Sequence, residues 1–242
     1  MKYQEPLEII HHAPSFGSNG TIATISSPSV TSKINASVIW LHGLGADGHD
    51  FAPVVEQLGL PNIRFILPHA PSMPVTINNG YMMPAWYDLY GLTPGSQEDE
   101  EGIRASQNYI NSLIKIEIDK GIPPSRIVLA GFSQGGAIAL HTALRYPQKL
   151  AGVLALSTYL PLKSRLDAEA LAANADTPIF MAHGIYDDVI SLETCKISLN
   201  LLQNRQIPVT WRQYSMAHSV CIEEVDDIRS FLQQVLQQDL VE

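Results

Sequence analysis

Cysteine is nearly absent: Cys195 and Cys221 are the only two, and they do not form a C-x-x-C pair. That excludes a disulfide framework and fits a reducing cytosol, so a cytoplasmic location is expected. Cations are scarce too, with 15 Lys+Arg against 24 Asp+Glu and a formal net charge of -9. Nonspecific binding to nucleic acid or to an anionic membrane needs clustered cations and is not expected. Long apolar runs are missing, both at the start, MKYQEPLEIIHH, and elsewhere, so neither a signal peptide nor a membrane span is read. Lys2 stands where myristoylation requires glycine, and no cysteine is nearby for palmitoylation, so no stable membrane anchor is expected. Neither G-x-x-x-x-G-K-[ST] nor a strand-linked G-x-G-x-x-G occurs, which argues against a nucleotide cofactor.

Alternation of short apolar runs with helical patterns is abundant. SVIWLHG (37–43), RFILP (64–68), RIVLAG (126–131), AGVLALS (151–157), TPIFMAHG (177–184) and VTWRQYS (209–215) read as strands. Helix candidates fall between and after them, at 48–58, 99–119, 134–146, 192–205 and 222–238. Continuous apolar strands alternating with helices predict an α/β fold, a mostly parallel sheet covered on both faces. Ser96 with Asp99 resembles a capping box before the second helix, and Gly121 with Pro123 and Pro124 marks its end. LEIIHH and TIATISS, around SFGSNG, suggest an N-terminal antiparallel hairpin, and residues 69–97 read as one long loop. No repeat or linker divides the 242 residues, so a single domain is expected, with 1–20 as an extension.

Ser133 stands inside Gly131-Phe132-Ser133-Gln134-Gly135, where a strand turns into a helix. This is the G-x-S-x-G elbow, in which glycines permit a strained turn that exposes the serine hydroxyl. A serine nucleophile needs a base oriented by an acid, and in this architecture both follow it along the chain. Three histidines do: His141 lies on the helix after the elbow, His183 precedes the acidic candidates, and His218 follows the last strand. His218 is therefore the expected base, and HGIYDDVIS offers Asp187 or Asp188 as the acid. Gln134 is the expected source of one oxyanion N–H and Leu44, in WLHGLGADGHDF, of the other, with His42 orienting that loop. Asp47, His49 and Asp50 match no metal-ligand spacing, so no metal is expected. An apolar wall for an acyl chain is read from Ile77 and Trp86 in the long loop, with Tyr159 and Val189 completing it.

LHGLGADGHDF, LPHAP, MPAWYD, GLTPGSQEDEEGI, GFSQGGAIAL, HGIYD and MAHSV together resemble the acyl-protein thioesterase/carboxylesterase family. The resemblance spans roughly Val38 to Leu236 and departs from it at Asp187-Asp188, where relatives usually carry Asp-Pro. It implies a small α/β-hydrolase without a large lid domain and hydrolysis of esters or thioesters without cofactor. It also implies Ser133, Asp187 and His218 as the triad, with Leu44 and Gln134 as oxyanion donors. The expected substrate is a small-molecule or protein-attached acyl ester or thioester, with an apolar, medium-chain acyl group. The competing expectations are an esterase for small or sugar-attached acyl esters and a catalytically silent fold acting as a binding module.

Overall fold

The computed structural model describes residues 3–11, 34–93 and 95–237. Among them, seven strands form one sheet. In spatial order these are β1 (Leu7–Ile10), β3 (Ile63–Leu67), β2 (Ala36–Leu41), β6 (Ile127–Phe132), β7 (Gly152–Leu156), β8 (Ile179–Gly184) and β9 (Val209–Tyr214). β1 runs antiparallel to β3, and every other neighbouring pair is parallel.

All six runs read as strands form strands: in the five inner ones helices cover both faces and leave no side that favours polar residues, whereas β9, at the edge, has no buried residue. On one face Ile39, Leu41, Ile127 and Leu129 pack with α2 (Glu100–Asp119), α3 (Gln134–Leu144) and α5 (Leu192–Asn204). On the other, Val38, Trp40, Val128 and Ala130 meet α1 (Ala52–Leu58) and α6 (Ile222–Gln237). The short α4 (Leu166–Glu169) follows β7. No described helix is long and apolar enough to cross a membrane.

β2 starts in mid-sheet, with β3 on one side and β6 on the other. The chain thus reverses direction across the sheet at β2, and the loops leaving β2 and β6 diverge at their carboxyl ends. Ligands bind in such crevices.

Three expectations need correction or limits. Residues 69–97 are not all loop: β4 (Ser72–Val75) and β5 (Tyr81–Pro84) form an antiparallel ribbon. Its turn carries Asn79 at φ 55° and Gly80 at φ 74°, the left-handed backbone that an Asn-Gly dipeptide favours. Prolines at 74 and 84 hid the two strands. The cap of α2 is Asp99 itself, whose carboxylate accepts the Gly102 N–H, so Ser96 forms no capping box. As for the N-terminal hairpin, β1 is in place, and its expected partner TIATISS lies outside the described residues.

One side chain of α6 opposes its surroundings. Glu224 is fully buried, and among the described residues neither carboxylate oxygen finds a hydrogen-bond partner of normal geometry. Burial pushes its pKa up to about 8. A carboxyl with a higher pKa folded than unfolded loses stability as pH rises from its ordinary range to that value. Glu224→Gln is therefore expected to raise the melting temperature at pH ~8 and to leave it nearly unchanged at pH ~4. Equal shifts at both pH values in a thermal melt would assign the effect to packing instead.

Candidate active site

Ser133 links β6 to α3 at φ 54° and ψ −122°, a strained conformation for a residue with a side chain. Close packing forces it. A Cβ on Gly131 would overlap the backbone of Gly135, and one on Gly135 would overlap the Leu41 carbonyl. The strand and helix can approach this closely only as glycines. The Ser133 N–H donates to Leu156 O at 2.9 Å, and its carbonyl accepts from the Thr158 hydroxyl at 2.6 Å.

The structure brings Ser133, His218 and Asp187 together. His218 Nε2 lies 2.9 Å from Ser133 Oγ, and its Nδ1 lies 2.7 Å from Asp187 Oδ2. Because the carboxylate can only accept, Nδ1 carries the proton, and Nε2 is left to accept one from the serine. The Asp187 side chain is completely buried, and its Oδ1 accepts the N–H groups of Val189 and Ile190, each at 2.9 Å. Asp188 points to solvent. Of the other two histidines after the elbow, His141 sits apart: it is buried within α3, and burial lowers its pKa to about 3.

His183 is the neighbour that sequence order set aside. It is fully buried, its Nε2 donates to Ile190 O at 2.8 Å, and it lies 3.4 Å from Asp187 Oδ2. Burial lowers its pKa, so it stays neutral and holds the loop that carries Asp187. Its place at the end of β8, four residues before Asp187, was the available signal.

Around the serine, backbone N–H groups are positioned by side chains. His42 is buried and its pKa is lowered by burial. Its Nε2 accepts the Ala70 N–H at 3.0 Å, which leaves the proton on Nδ1, donated to Gly43 O at 2.7 Å. A peptide unit is planar and trans, so the Leu44 N–H, opposite that carbonyl, faces away from the imidazole. Gln134 opens α3, where a helix N–H has no partner within the helix. Its side-chain amide accepts from Trp86 N at 2.9 Å and donates to Tyr87 O at 2.8 Å.

A cavity of about 420 Å³ opens beside Ser133, within the range of small-molecule sites. Leu44, Gln134, Ile77, Tyr159 and Val189 line it, joined by Leu89 and Leu92 from the long segment that carries Ile77. Trp86 does not. It is fully buried behind the wall, and its indole N–H donates to His42 O at 2.8 Å, so it braces the loop carrying Leu44. Tyr159 shares a 2.8 Å hydrogen bond with the hydroxyl of Tyr87.

At the loop after β2, His69 rather than Asp50 joins Asp47 and His49, their ligand-type atoms lying within 4.8 Å of one another. These atoms already have partners: Asp47 Oδ1 accepts the His49 backbone N–H at 2.7 Å and lies 3.0 Å from His49 Nδ1, and His69 Nδ1 accepts the Gly48 N–H at 3.1 Å.

A family model described as phospholipase/carboxylesterase matches residues 21–236. An acyl-protein thioesterase 1 of Neurospora crassa is 46% identical over 210 residues, covering 81% of this chain and 85% of that protein. Another, from Gibberella zeae, is 42% identical and covers 90% of this chain and 98% of its own length. The crystal structure of Arabidopsis thaliana SOBER1 superposes with a TM-score of 0.80 at 30% identity, covering 84% of this chain and 99% of that one.

Proposed function

The chain belongs to the phospholipase/carboxylesterase family, a serine hydrolase of esters and thioesters, and from that premise we propose how and on what it acts. Ser133 is the nucleophile, His218 the base, Asp187 its orienting acid, and the Leu44 and Gln134 N–H groups the oxyanion donors. The substrate carries an apolar, medium-chain acyl group, attached to a protein as in the relatives' names.

As Ser133 Oγ attacks the acyl carbonyl, its proton passes to His218 Nε2, and the carbonyl oxygen becomes an oxyanion between the two N–H groups. Collapse breaks the bond to the leaving oxygen or sulfur, which takes the proton from His218, and leaves an acyl ester on Ser133. Water then repeats the sequence with His218 as base, releasing the acid and restoring the serine. The 2.9 Å and 2.7 Å contacts of His218, opening on an apolar cavity, carry this reading. Residues of the proposed site come from segments between Leu44 and His218 on one sheet, which supports reading 1–242 as one domain; the family match begins at residue 21, so 1–20 is read as an extension whose β1 joins the edge of that sheet.

A panel of p-nitrophenyl esters and matching thioesters tests the acyl preference. Each methylene moved out of water is worth about 0.8 kcal/mol, roughly fourfold in binding. Catalytic efficiency is expected to climb from acetyl to medium-chain substrates and then level off. Ile77→Asp, at an exposed part of the cavity wall, should flatten that climb more than it slows acetyl turnover. A wild-type preference for acetyl over octanoyl would put the small-ester reading in its place.

A further inference from the structure

We propose that Asp50 forms a subsite for a cationic leaving group, so that the enzyme selects acyl thioesters and esters whose departing half carries positive charge. The proposal rests on the reading above, in which the acyl chain occupies the apolar part of the cavity.

The lining of the cavity contains no lysine or arginine, and Asp50 supplies its one carboxylate. That carboxylate is exposed, and among the described residues it makes no hydrogen bond and no ion pair. It does not cap the helix it precedes either: the N-cap of α1 is Phe51, without a side-chain bond. Asp50 thus has no structural partner that would account for its place in the wall.

Position gives it a side. The Phe51 ring packs on Phe132 with centroids 5.7 Å apart, and Phe132 packs on the His218 imidazole at 4.7 Å. Asp50, next to Phe51 in the chain, therefore borders the cavity beside the row of tilted rings Phe51, Phe132 and His218. Ile77, Leu89 and Leu92 of the lining come instead from the long segment after β3. His218 must hand its proton to the leaving oxygen or sulfur, so the leaving group departs on the His218 side. What departs passes Asp50. A net charge of -9 adds an attractive long-range field for cations and a repulsive one for anions. The chemistry that fits is a thiol or alcohol flanked by lysine or arginine side chains, or a choline-type head.

Three octanoyl thioesters test this: that of thiocholine (cationic), of 2-mercaptoethanol (neutral) and of 3-mercaptopropionate (anionic). Wild type, Asp50→Glu, Asp50→Asn and Asp50→Lys are compared on kcat/KM at low salt. Comparing enzymes on the same substrates cancels the leaving groups' intrinsic reactivities. A unit charge near the surface shifts affinity several-fold for each sign of substrate. The cation-to-anion ratio is therefore expected to fall roughly tenfold in Asp50→Asn, chiefly through KM, and further in Asp50→Lys. Asp50→Glu should retain most of the ratio, and ~0.5 M NaCl should erode it in wild type. A ratio constant within about twofold across the four enzymes makes Asp50 a merely solvated carboxylate and overturns the proposal. Failure of wild type to cleave the neutral octanoyl thioester overturns the functional reading, and this proposal with it.

Discussion

Ser133→Ala should lower hydrolysis of p-nitrophenyl octanoate by up to ~10⁶, the scale at which removal of a triad serine acts elsewhere. The loss is confined to chemistry, because among the described residues the hydroxyl makes one hydrogen bond, to His218 Nε2. Alanine retains a Cβ, so the strain at φ 54° is neither relieved nor increased. The variant should melt close to wild type and still take up a medium-chain acyl ligand in the cavity. A fluorophosphonate probe, which bonds to an activated serine, should label wild type and fail on the variant. Retention of more than a few per cent of the activity would remove Ser133 from the nucleophile's place. Absence of both labelling and turnover in wild type would favour the silent binding module.

The elbow was legible because its constraint is local. Gly131, Ser133 and Gly135 meet within one turn, and the glycines are needed wherever a strand and helix close so tightly. The strands were legible for a related reason: a strand buried on both faces shows as an unbroken apolar run, whatever lies around it. Trp86 was not legible. In an apolar loop an indole serves equally as cavity wall or as brace, and what decides is its N–H partner, His42 O, 44 residues earlier. The choice of Asp99 over a Ser96 box as helix cap likewise turns on where the helix starts, and neighbouring start positions offered similar side chains. β4 and β5 were obscured by prolines that broke the alternation of an otherwise paired ribbon. Asn79-Gly80 was the signal that could have found them.

The pair Asp187-Asp188 is the sharpest case, since two identical side chains stand side by side and only the fold separates them. Asp187→Asn is expected to reduce turnover by ~10⁴, the cost known for misorienting a triad imidazole. The mechanism follows from the partners of that carboxylate. The N–H groups of Val189 and Ile190 both need an acceptor at Oδ1, so the new amide must keep its oxygen there. Its NH₂ then faces His218 Nδ1, which can pair with it only by giving up its own proton. The proton moves to Nε2, and the ring can no longer accept one from Ser133. Asp188→Asn changes an exposed group that holds nothing in the site, and turnover should stay within about twofold of wild type. Comparable losses in the two variants, measured as kcat on the same ester, would shift the acid by one residue. Combining Asp187→Asn with Ser133→Ala should cost no more than Ser133→Ala alone, because an imidazole with no serine to activate has nothing left to lose.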